Sequence, residues 1–297
     1  MARPDYLFLI GVGRSGTNAV RHSLGLQPSI YYNGHENNVV PDLLETALIN
    51  CTQPDRELGM TIPQADYDRI FERVVNDLLW HQHSASPEKI RMASHHLDIS
   101  LADYLLQVFP DARVLHLVRN GIQVVASRQL YPAFEHFPFE DQCEEWAQTY
   151  ELHRWGKSQG AAYHLLRHEW LNDESRLRAE LTELYAWLEI DWDDGPFHNF
   201  LHHHYHPTRH PLEDESSEQK TSERLRTKLR KFWNQKKRAN AERQEFERSR
   251  NERWKFWTDS QLATFEDICG EAMAGFGYAI PWQGTKQPMP PTLDGAE

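Results

Sequence analysis

The sequence predicts an α/β protein with three layers and a central, mostly parallel sheet. Strand-like runs occur at residues 6–12, 112–118 and 162–167, and the first is uninterrupted in its apolarity, as in strands covered on both faces. Each run ends in a glycine or polar turn, and helical spacing of apolar residues follows each turn. Alternating strands and helices imply parallel pairing, with ligand sites at the carboxyl ends of the strands.

The other elements follow in chain order. Helical periodicity follows the first turn and returns at residues 39–50 and 64–82. A second unit begins at Ile90, and its helix stops at Pro110, before the second predicted strand. A helix that ends near Leu188 follows the third predicted strand.

We expect a single domain over residues 1–281. Its residues 202–257 are rich in charge and poor in aliphatic side chains, which indicates an exposed flap. An amphipathic helix over residues 259–276 follows, and Gly277 caps it. The proline-rich residues 282–297 predict a disordered tail.

Composition limits the class of protein. The 297 residues carry a formal charge of −12, which does not suit a surface that neutralises nucleic-acid phosphates. No apolar run reaches the length of a membrane span, and the N-terminus lacks the pattern of a secretory leader. The three cysteines form no Cys-x-x-Cys pair, so neither a disulfide framework nor a thiolate metal site is indicated. We therefore expect a cytoplasmic protein with no nucleic-acid partner and no membrane span.

The turn GVGRSGTN has the pattern of an anion-binding loop between a strand and a helix. Its glycines permit a tight turn whose N–H groups converge, and the helix N-terminus adds partial positive charge. Gly11 and Gly16 have the separation found in the loops that bind ATP and GTP, but Thr17 occupies the position of their lysine. The positive side chain is instead Arg14. The candidate ligand residues are Gly13, Arg14, Ser15, Gly16, Thr17 and Asn18.

Several segments, in the right order, resemble the sulfotransferases that use 3′-phosphoadenosine 5′-phosphosulfate (PAPS). GVGRSGTN resembles their 5′-phosphosulfate loop, and FPDARVLHLVRNGIQVVASR resembles their 3′-phosphate segment. LLRHEWL and WTDSQLATFEDICGEAMAGFGY resemble two later elements of the family. The resemblance covers roughly residues 5–280 and implies a P-loop NTPase-like sulfotransferase architecture, with PAPS as the co-substrate that is released as PAP.

The resemblance also implies functional residues. Arg119 and Ser127, eight positions apart, match the pair that binds the 3′-phosphate. Trp254-Lys255 resembles a late element of the family, and the basic residues just before it, Arg248 and Arg250, are expected to add to that site. The chain departs from the family where Asn120-Gly121 replaces the common Asp-Pro and where His168 replaces a common Tyr. The second departure leaves the adenine contacts open.

The family's reaction implies an in-line displacement in which Arg14 stabilises the leaving phosphate and no metal is required. A base must then take a proton from the acceptor. Glu36 lies where carbohydrate-type and many bacterial members place a catalytic glutamate, and His96 stands where cytosolic members have a catalytic histidine. Glu36 is the preferred candidate, followed by His96 and then His35.

The acceptor is expected to be a small molecule or a carbohydrate with a hydroxyl or amine. Aromatic residues after the second unit could line its pocket or serve only in packing: Tyr131, Phe134, Phe137 and Phe139. Histidines at 202–210 lack the spacing of a zinc enzyme.

Alternative functions are a nucleotide kinase or NTPase-like enzyme and a non-catalytic protein that binds PAPS or PAP. The sequence does not indicate an oligomeric state.

Overall fold

The computed structural model describes residues 3–32, 64–80, 89–95, 98–134, 136–202 and 250–285. The strands are β1 Tyr6–Ile10, β2 Ile30–Tyr32, β3 Ile90–His95, β4 Ala112–Val118 and β5 Tyr163–Arg167. The α-helices are α1 Thr17–Leu24, α2 Gln64–Trp80, α3 Ile99–Val108, α4 Gly121–Arg128, α5 Phe139–Ser158, α6 Glu174–Leu188, α7 Asp194–His202 and α8 Asp259–Gly275. The helix expected at residues 39–50 and the flap residues 203–249 lie outside the described residues.

The five strands form one sheet in the order β2-β3-β1-β4-β5, and every strand pair is parallel. The central strand β1 pairs with β3 from Tyr6 beside Arg91 and with β4 from Tyr6 beside Ala112. All five residues of β1 are buried, because helices cover both faces of the sheet. The predicted α/β class and parallel sheet are therefore confirmed.

Alternate residues of β1 enter two different cores. Tyr6, Phe8 and Ile10 pack with residues of α2, α3 and α5. Leu7 and Leu9 pack on the opposite face with residues of α1, α6 and α7. This alternation follows from the two-residue period of a strand, and it produces the three predicted layers.

The short strands β2 and β3 were not predicted. β2 has only three residues, and β3 has the sequence IRMASH, in which polar residues interrupt the apolar ones. Both strands pair in parallel with their neighbours. Hydrogen bonds to the neighbouring strands therefore stabilise them, although their own sequence patterns do not predict strands.

A third core closes the edge of the sheet where the strands end. It joins α4, α5 and α8, with Trp146 and Phe265 fully buried at its centre. Trp257 is buried here, and a 3-10 turn over Arg250–Phe256 precedes it. The end of the expected flap is therefore packed on the body of the protein.

The first part of the segment expected as a disordered tail lies within the described residues. Pro281–Thr285 form a 3-10 turn, and the Trp282 ring lies 5.0 Å from the Trp254 ring and 5.9 Å from the Trp257 ring. These aromatic contacts hold the first residues that we assigned to the tail. In the part of the chain that the structure describes, no helix is long and apolar enough to cross a membrane.

Candidate functional site

The glycine loop lies between the carboxyl end of β1 and the first turn of α1. Ser15 fixes its curve, because its N–H and its hydroxyl both donate to the Val12 carbonyl, at 3.1 and 2.7 Å. Arg14 and Gly16 have positive φ angles of 76° and 105°. A side chain at Gly16 would be strained by this angle, and its Cβ would lie 2.5 Å from the His168 ring. The loop therefore needs glycine at this position.

The N-terminus of α1 is built without a side-chain cap. Gly16 occupies the N-cap position, no side chain accepts a hydrogen bond there, and the first turn contains no acidic residue. By contrast, Asp98, Asn120, Asp173 and Thr258 cap α3, α4, α6 and α8. The first N–H groups of a helix have no partner within the helix and attract anions. This end of α1 can therefore hold an anion.

Three predicted site residues meet beside this loop. The Arg14 Nε donates to the Ser127 hydroxyl at 3.2 Å, and the Arg14 guanidinium lies 4.5 Å from the centre of the Tyr131 ring. The Arg119 Nη1 donates to the Arg14 carbonyl at 3.1 Å, while its Nε and Nη2 donate to Gln123. The two anion-binding segments expected from the sequence are therefore in direct contact.

The turn that carries Arg119 is held from two sides. The Trp146 indole N–H donates to the Arg119 carbonyl at 2.9 Å. The Glu169 carboxylate accepts from the Asn120 N–H at 2.8 Å and from the Tyr278 hydroxyl at 2.8 Å. Burial, followed by the nearby Glu169 charge, raises the pKa of Tyr278, so the phenol remains a neutral donor. These contacts fix the backbone from which Arg119 projects.

A second arginine holds the loop from within the protein. Arg128 at the end of α4 donates through Nε to the Gly13 carbonyl at 3.1 Å. Its two terminal nitrogens donate to the two oxygens of Glu145, each at 2.7 Å. The Phe134 ring covers the guanidinium at 4.9 Å and also lies where a Cβ of Gly13 would stand. Gly13 therefore allows the close approach of Phe134.

A cavity of about 400 Å³ opens beside the start of the loop. Its walls come from the end of β1, the start of α3 and one face of α5: Gly11, Val12, Asp98, Ile99, Ser100, Glu145, Gln148, Thr149, Glu151 and Leu152. This volume lies within the range of small-molecule pockets. The wall combines aliphatic groups with hydroxyl, amide and carboxylate groups.

The aromatic residues considered for an acceptor pocket have different surroundings. Phe139 packs edge-on against Trp257, at 5.2 Å between ring centres, and so belongs to the third core. Tyr131, Phe134 and Phe137 form a chain of rings beside the loop, each about 6.1 Å from the next. Tyr131 and Phe137 are exposed.

Several predicted site residues cannot be placed. Both candidate bases, Glu36 and His96, lie outside the described residues, as do His35 and Arg248. Arg250 begins the 3-10 turn before Trp257, and only its backbone is described. Within the described ranges, no group of three His, Cys, Asp or Glu residues could hold a metal ion.

Sequence reasoning assigned no role at the site to Arg128, Glu145 or Glu169. Arg128 directly follows Ser127 in an otherwise apolar helical stretch, and a charged residue at that place was the available signal. Glu145 gave no signal, because it lies among other acidic residues at the start of α5. Glu169 lies within LLRHEWL, but the resemblance alone gave it no partner.

One comparison with known proteins identifies a family. A family model described as the sulfotransferase family matches residues 4–194, which include the loop, the Arg119 turn and Glu169. No curated protein sequence matches this chain.

Similar solved structures include a sulfotransferase domain of the olefin synthase from Synechococcus PCC 7002, with 16% identity and a TM-score of 0.48 over 71% of this chain and 82% of that one. A sulfotransferase domain from the curacin biosynthetic pathway has 14% identity and a TM-score of 0.47 over 67% and 78% of the two chains. A sulfotransferase from Alicyclobacillus acidocaldarius has 14% identity and a TM-score of 0.42 over 91% and 97%. Since the family model spans more than half of the sequence, this chain belongs to the sulfotransferase family.

Proposed function

We propose that the chain is an enzyme that transfers a sulfuryl group from PAPS to a hydroxyl or amine of a small-molecule or carbohydrate acceptor. One observation carries this proposal: the uncapped N-terminus of α1 and the cluster of Arg14, Ser127 and Arg119 adjoin each other. A donor with a phosphosulfate at one end and a phosphate at the other needs two neighbouring anion sites, and this arrangement supports both.

The loop and the first turn of α1 would hold the 5′-phosphosulfate. Backbone N–H groups at a helix N-terminus bind such an anion together with the helix dipole. Ser15 is fully buried and bonded to Val12, so its contribution is to shape the loop. Thr17 and Asn18 lie in the first turn of α1. The Asn18 Oδ1 is buried without a hydrogen-bond partner within the described residues. This oxygen accepts hydrogen bonds, so a hydroxyl or amino group of the adenosine part of PAPS, and not the phosphosulfate, would satisfy it.

Arg119 and Ser127 would hold the 3′-phosphate. Gln123, through its side-chain oxygen, accepts two hydrogen bonds from the Arg119 fork, which is the geometry that an oxygen of a phosphate would offer. Ser127 likewise has an internal partner, because its hydroxyl accepts a hydrogen bond from the Arg14 guanidinium. We infer that the 3′-phosphate of PAPS displaces these internal partners. Binding would then replace the existing hydrogen bonds and leave no polar group unpaired.

The reaction itself requires little covalent chemistry from the protein. The acceptor oxygen or nitrogen forms a bond to sulfur while the bond from sulfur to the 5′-phosphate oxygen breaks, and PAP leaves with that electron pair. The acceptor proton passes to a base, for which Glu36 and His96 remain the candidates. Arg14 and the loop N–H groups would stabilise the charge that develops on the leaving phosphate.

The cavity beside Gly11 and Val12 is the proposed acceptor site. It adjoins the loop that would carry the sulfuryl group, and its volume of about 400 Å³ suits a small molecule or a short sugar. Ser100, Gln148 and Thr149 in its wall offer hydrogen bonds that hydroxyl-bearing acceptors require. The acceptor itself follows from neither the cavity nor the family.

Mass spectrometry of the protein incubated with PAPS and a host metabolite extract tests the proposal. We expect sulfated products that form together with an equal amount of PAP. PAP binding without any sulfated product would favour the non-catalytic alternative. Release of phosphate from ATP in the presence of Mg²⁺, without use of PAPS, would favour the kinase or NTPase alternative.

A further inference from the structure

The Arg128–Glu145 ion pair lies behind the loop, where Arg128 bonds the Gly13 carbonyl and Glu145 also lines the cavity proposed for the acceptor. The Arg128 side chain is 0% exposed, and the Glu145 side chain is 31% exposed. All three nitrogens of the guanidinium donate, because Nε bonds the Gly13 carbonyl and each terminal nitrogen bonds one Glu145 oxygen. Such a two-oxygen pair fixes the plane of the guanidinium as well as its position. The direction of Nε–H toward Gly13 is thereby fixed.

The bond to Gly13 determines how one peptide group faces. The carbonyl of Gly13 and the N–H of Arg14 belong to the same planar trans peptide and point in opposite directions. Holding the carbonyl on the protein side therefore holds the Arg14 N–H on the other side. Gly13 lacks a Cβ, so sterics alone restrict its side of this peptide weakly, whereas the φ of 76° at Arg14 is disfavoured for a residue with a Cβ. A specific contact must select it.

A contribution to stability does not by itself explain this pair. Burying two charges costs desolvation energy, and apolar residues of similar size often replace a buried ion pair without loss of stability. A second ion pair with similarly buried side chains lies elsewhere in the protein. Arg113 and Glu189 also form an ion pair, at 3.4 Å, with side chains 6% and 34% exposed. That pair lies at the opposite end of β4 and contacts no loop residue through an observed hydrogen bond.

We propose that Arg128 is a positioning residue that locks the Gly13–Arg14 peptide in its anion-binding orientation, and that Glu145 holds Arg128 in place. Phe134 further restricts the movement of both groups, because its ring packs on the Arg128 guanidinium and on Gly13. The expected effect of Arg128 on PAP affinity rests on the proposed function. Its expected effect on the order of the loop in the ligand-free protein is independent of that function.

The test compares two double variants that remove one ion pair each: Arg128→Met with Glu145→Gln, and Arg113→Met with Glu189→Gln. Both leave no unpaired buried charge, so thermal unfolding should show similar melting temperatures. Isothermal titration calorimetry then measures the affinity for PAP. Hydrogen exchange over residues 11–16 measures the order of the loop without ligand, since the Ser15 N–H bonds the Val12 carbonyl. Arg128→Lys serves as a third variant, because it keeps the charge beside Glu145 and loses the planar fork.

We expect the Arg128 double variant to bind PAP about tenfold or more weakly and to exchange faster in the loop, while the Arg113 double variant behaves like wild type. Arg128→Lys should shift both measurements in the same direction by a smaller amount. Wild-type affinity and wild-type loop exchange in the Arg128 variants would overturn the proposal. If the wild-type protein itself does not bind PAP, the proposed function fails, and loop exchange alone decides whether Arg128 acts as the lock.

Discussion

Arg14 and Arg119 each serve the site with their backbone and their side chain. The Arg14 carbonyl accepts from Arg119, while the Arg14 side chain bonds Ser127. The Arg119 carbonyl accepts from the Trp146 indole, while its side chain reaches Gln123 and the loop. Side chains 105 positions apart in the sequence therefore form one hydrogen-bonded unit. A change in either arginine should affect both ends of the proposed donor site.

Arg119→Ala should weaken PAP binding roughly tenfold to a hundredfold, because it removes charge-assisted hydrogen bonds to the 3′-phosphate. Arg119→Lys should recover only part of the affinity, since an ammonium lacks the planar fork. Isothermal titration calorimetry measures both, with Arg154→Ala as the control, because Arg154 is exposed on α5 and bonds only Glu151 among the observed partners. Equal affinity of wild type and Arg119→Ala would refute the assignment.

Glu36→Gln should abolish turnover and leave PAP affinity unchanged, because the base acts on the acceptor and not on the donor. Steady-state turnover with an acceptor whose sulfated product appears in the metabolite screen, together with PAP titration, measures the two effects separately. His96→Ala is the matched variant. Unimpaired turnover in Glu36→Gln together with loss of turnover in His96→Ala would move the role of the base to His96.

At the scale of elements, the start of α1 differs from the starts of four other helices. Gly16 provides a left-handed N-cap without a side-chain acceptor, whereas acidic, amide or hydroxyl side chains cap α3, α4, α6 and α8. A carboxylate at this cap would occupy the N–H groups that an anion needs and would repel the anion. The helix therefore lacks the stabilising hydrogen bond of a side-chain cap at the position where it would bind PAPS.

Gly16→Ala should lower the free energy of unfolding by about 1–3 kcal/mol, because alanine is strained at a φ of 105°, and its Cβ would meet His168. It should also weaken PAP binding. Gly270→Ala is the matched control, since Gly270 lies inside α8 with no atom within 4 Å of the new Cβ. That change should stabilise the protein by about 0.5–1 kcal/mol. Urea unfolding measures both, and equal shifts in the same direction would contradict the account of the loop.

The sequence predicted elements whose signal is local and missed those whose stability comes from partners. β1 is uninterrupted in its apolarity, and α3 and α6 begin at Asp98 and Asp173, which are strong caps, so these elements could be located from the sequence. β2 and β3 depend on pairing within the sheet. The same limit applies to the site. The loop and Arg119 follow local patterns. Arg128 and Glu145 lie on two different helices, 17 positions apart in sequence, and no local pattern specifies such a contact.

At the scale of the whole molecule, buried histidines join the central sheet to α5. The Tyr163 hydroxyl on β5 lies 2.7 Å from the His116 Nδ1 on β4 and 2.9 Å from the His153 Nδ1 on α5. Burial, and then the charges of Lys157 and Arg167, lower the pKa of His153 to about 4. Burial also raises the pKa of Tyr163. His153 and Tyr163 are therefore neutral at physiological pH, and protonation of His153 opposes folding.

His153→Gln should flatten the acid side of the stability profile. Between about pH 6.5, the ordinary pKa of histidine, and the folded-state value of about 4, the unfolded chain binds a proton at His153 that the folded chain does not. The free energy of unfolding therefore falls as the pH decreases through this window, and Gln removes this contribution while it keeps a polar partner for Tyr163. Urea unfolding at several pH values measures the slope. His136→Gln, at an exposed position, is the control, and an unchanged slope in His153→Gln would refute the assignment.

The central claim is that the loop and the Arg119 cluster bind the two ends of an adenosine 3′-phosphate 5′-phosphosulfate donor. Titration of the wild-type protein with PAP in the presence of EDTA, beside a titration with ATP and Mg²⁺, tests it most directly. We expect PAP to bind with one site per chain and to raise the melting temperature without any metal, while ATP with Mg²⁺ has little effect. No binding of PAP, or tighter binding of ATP with Mg²⁺, would contradict the account.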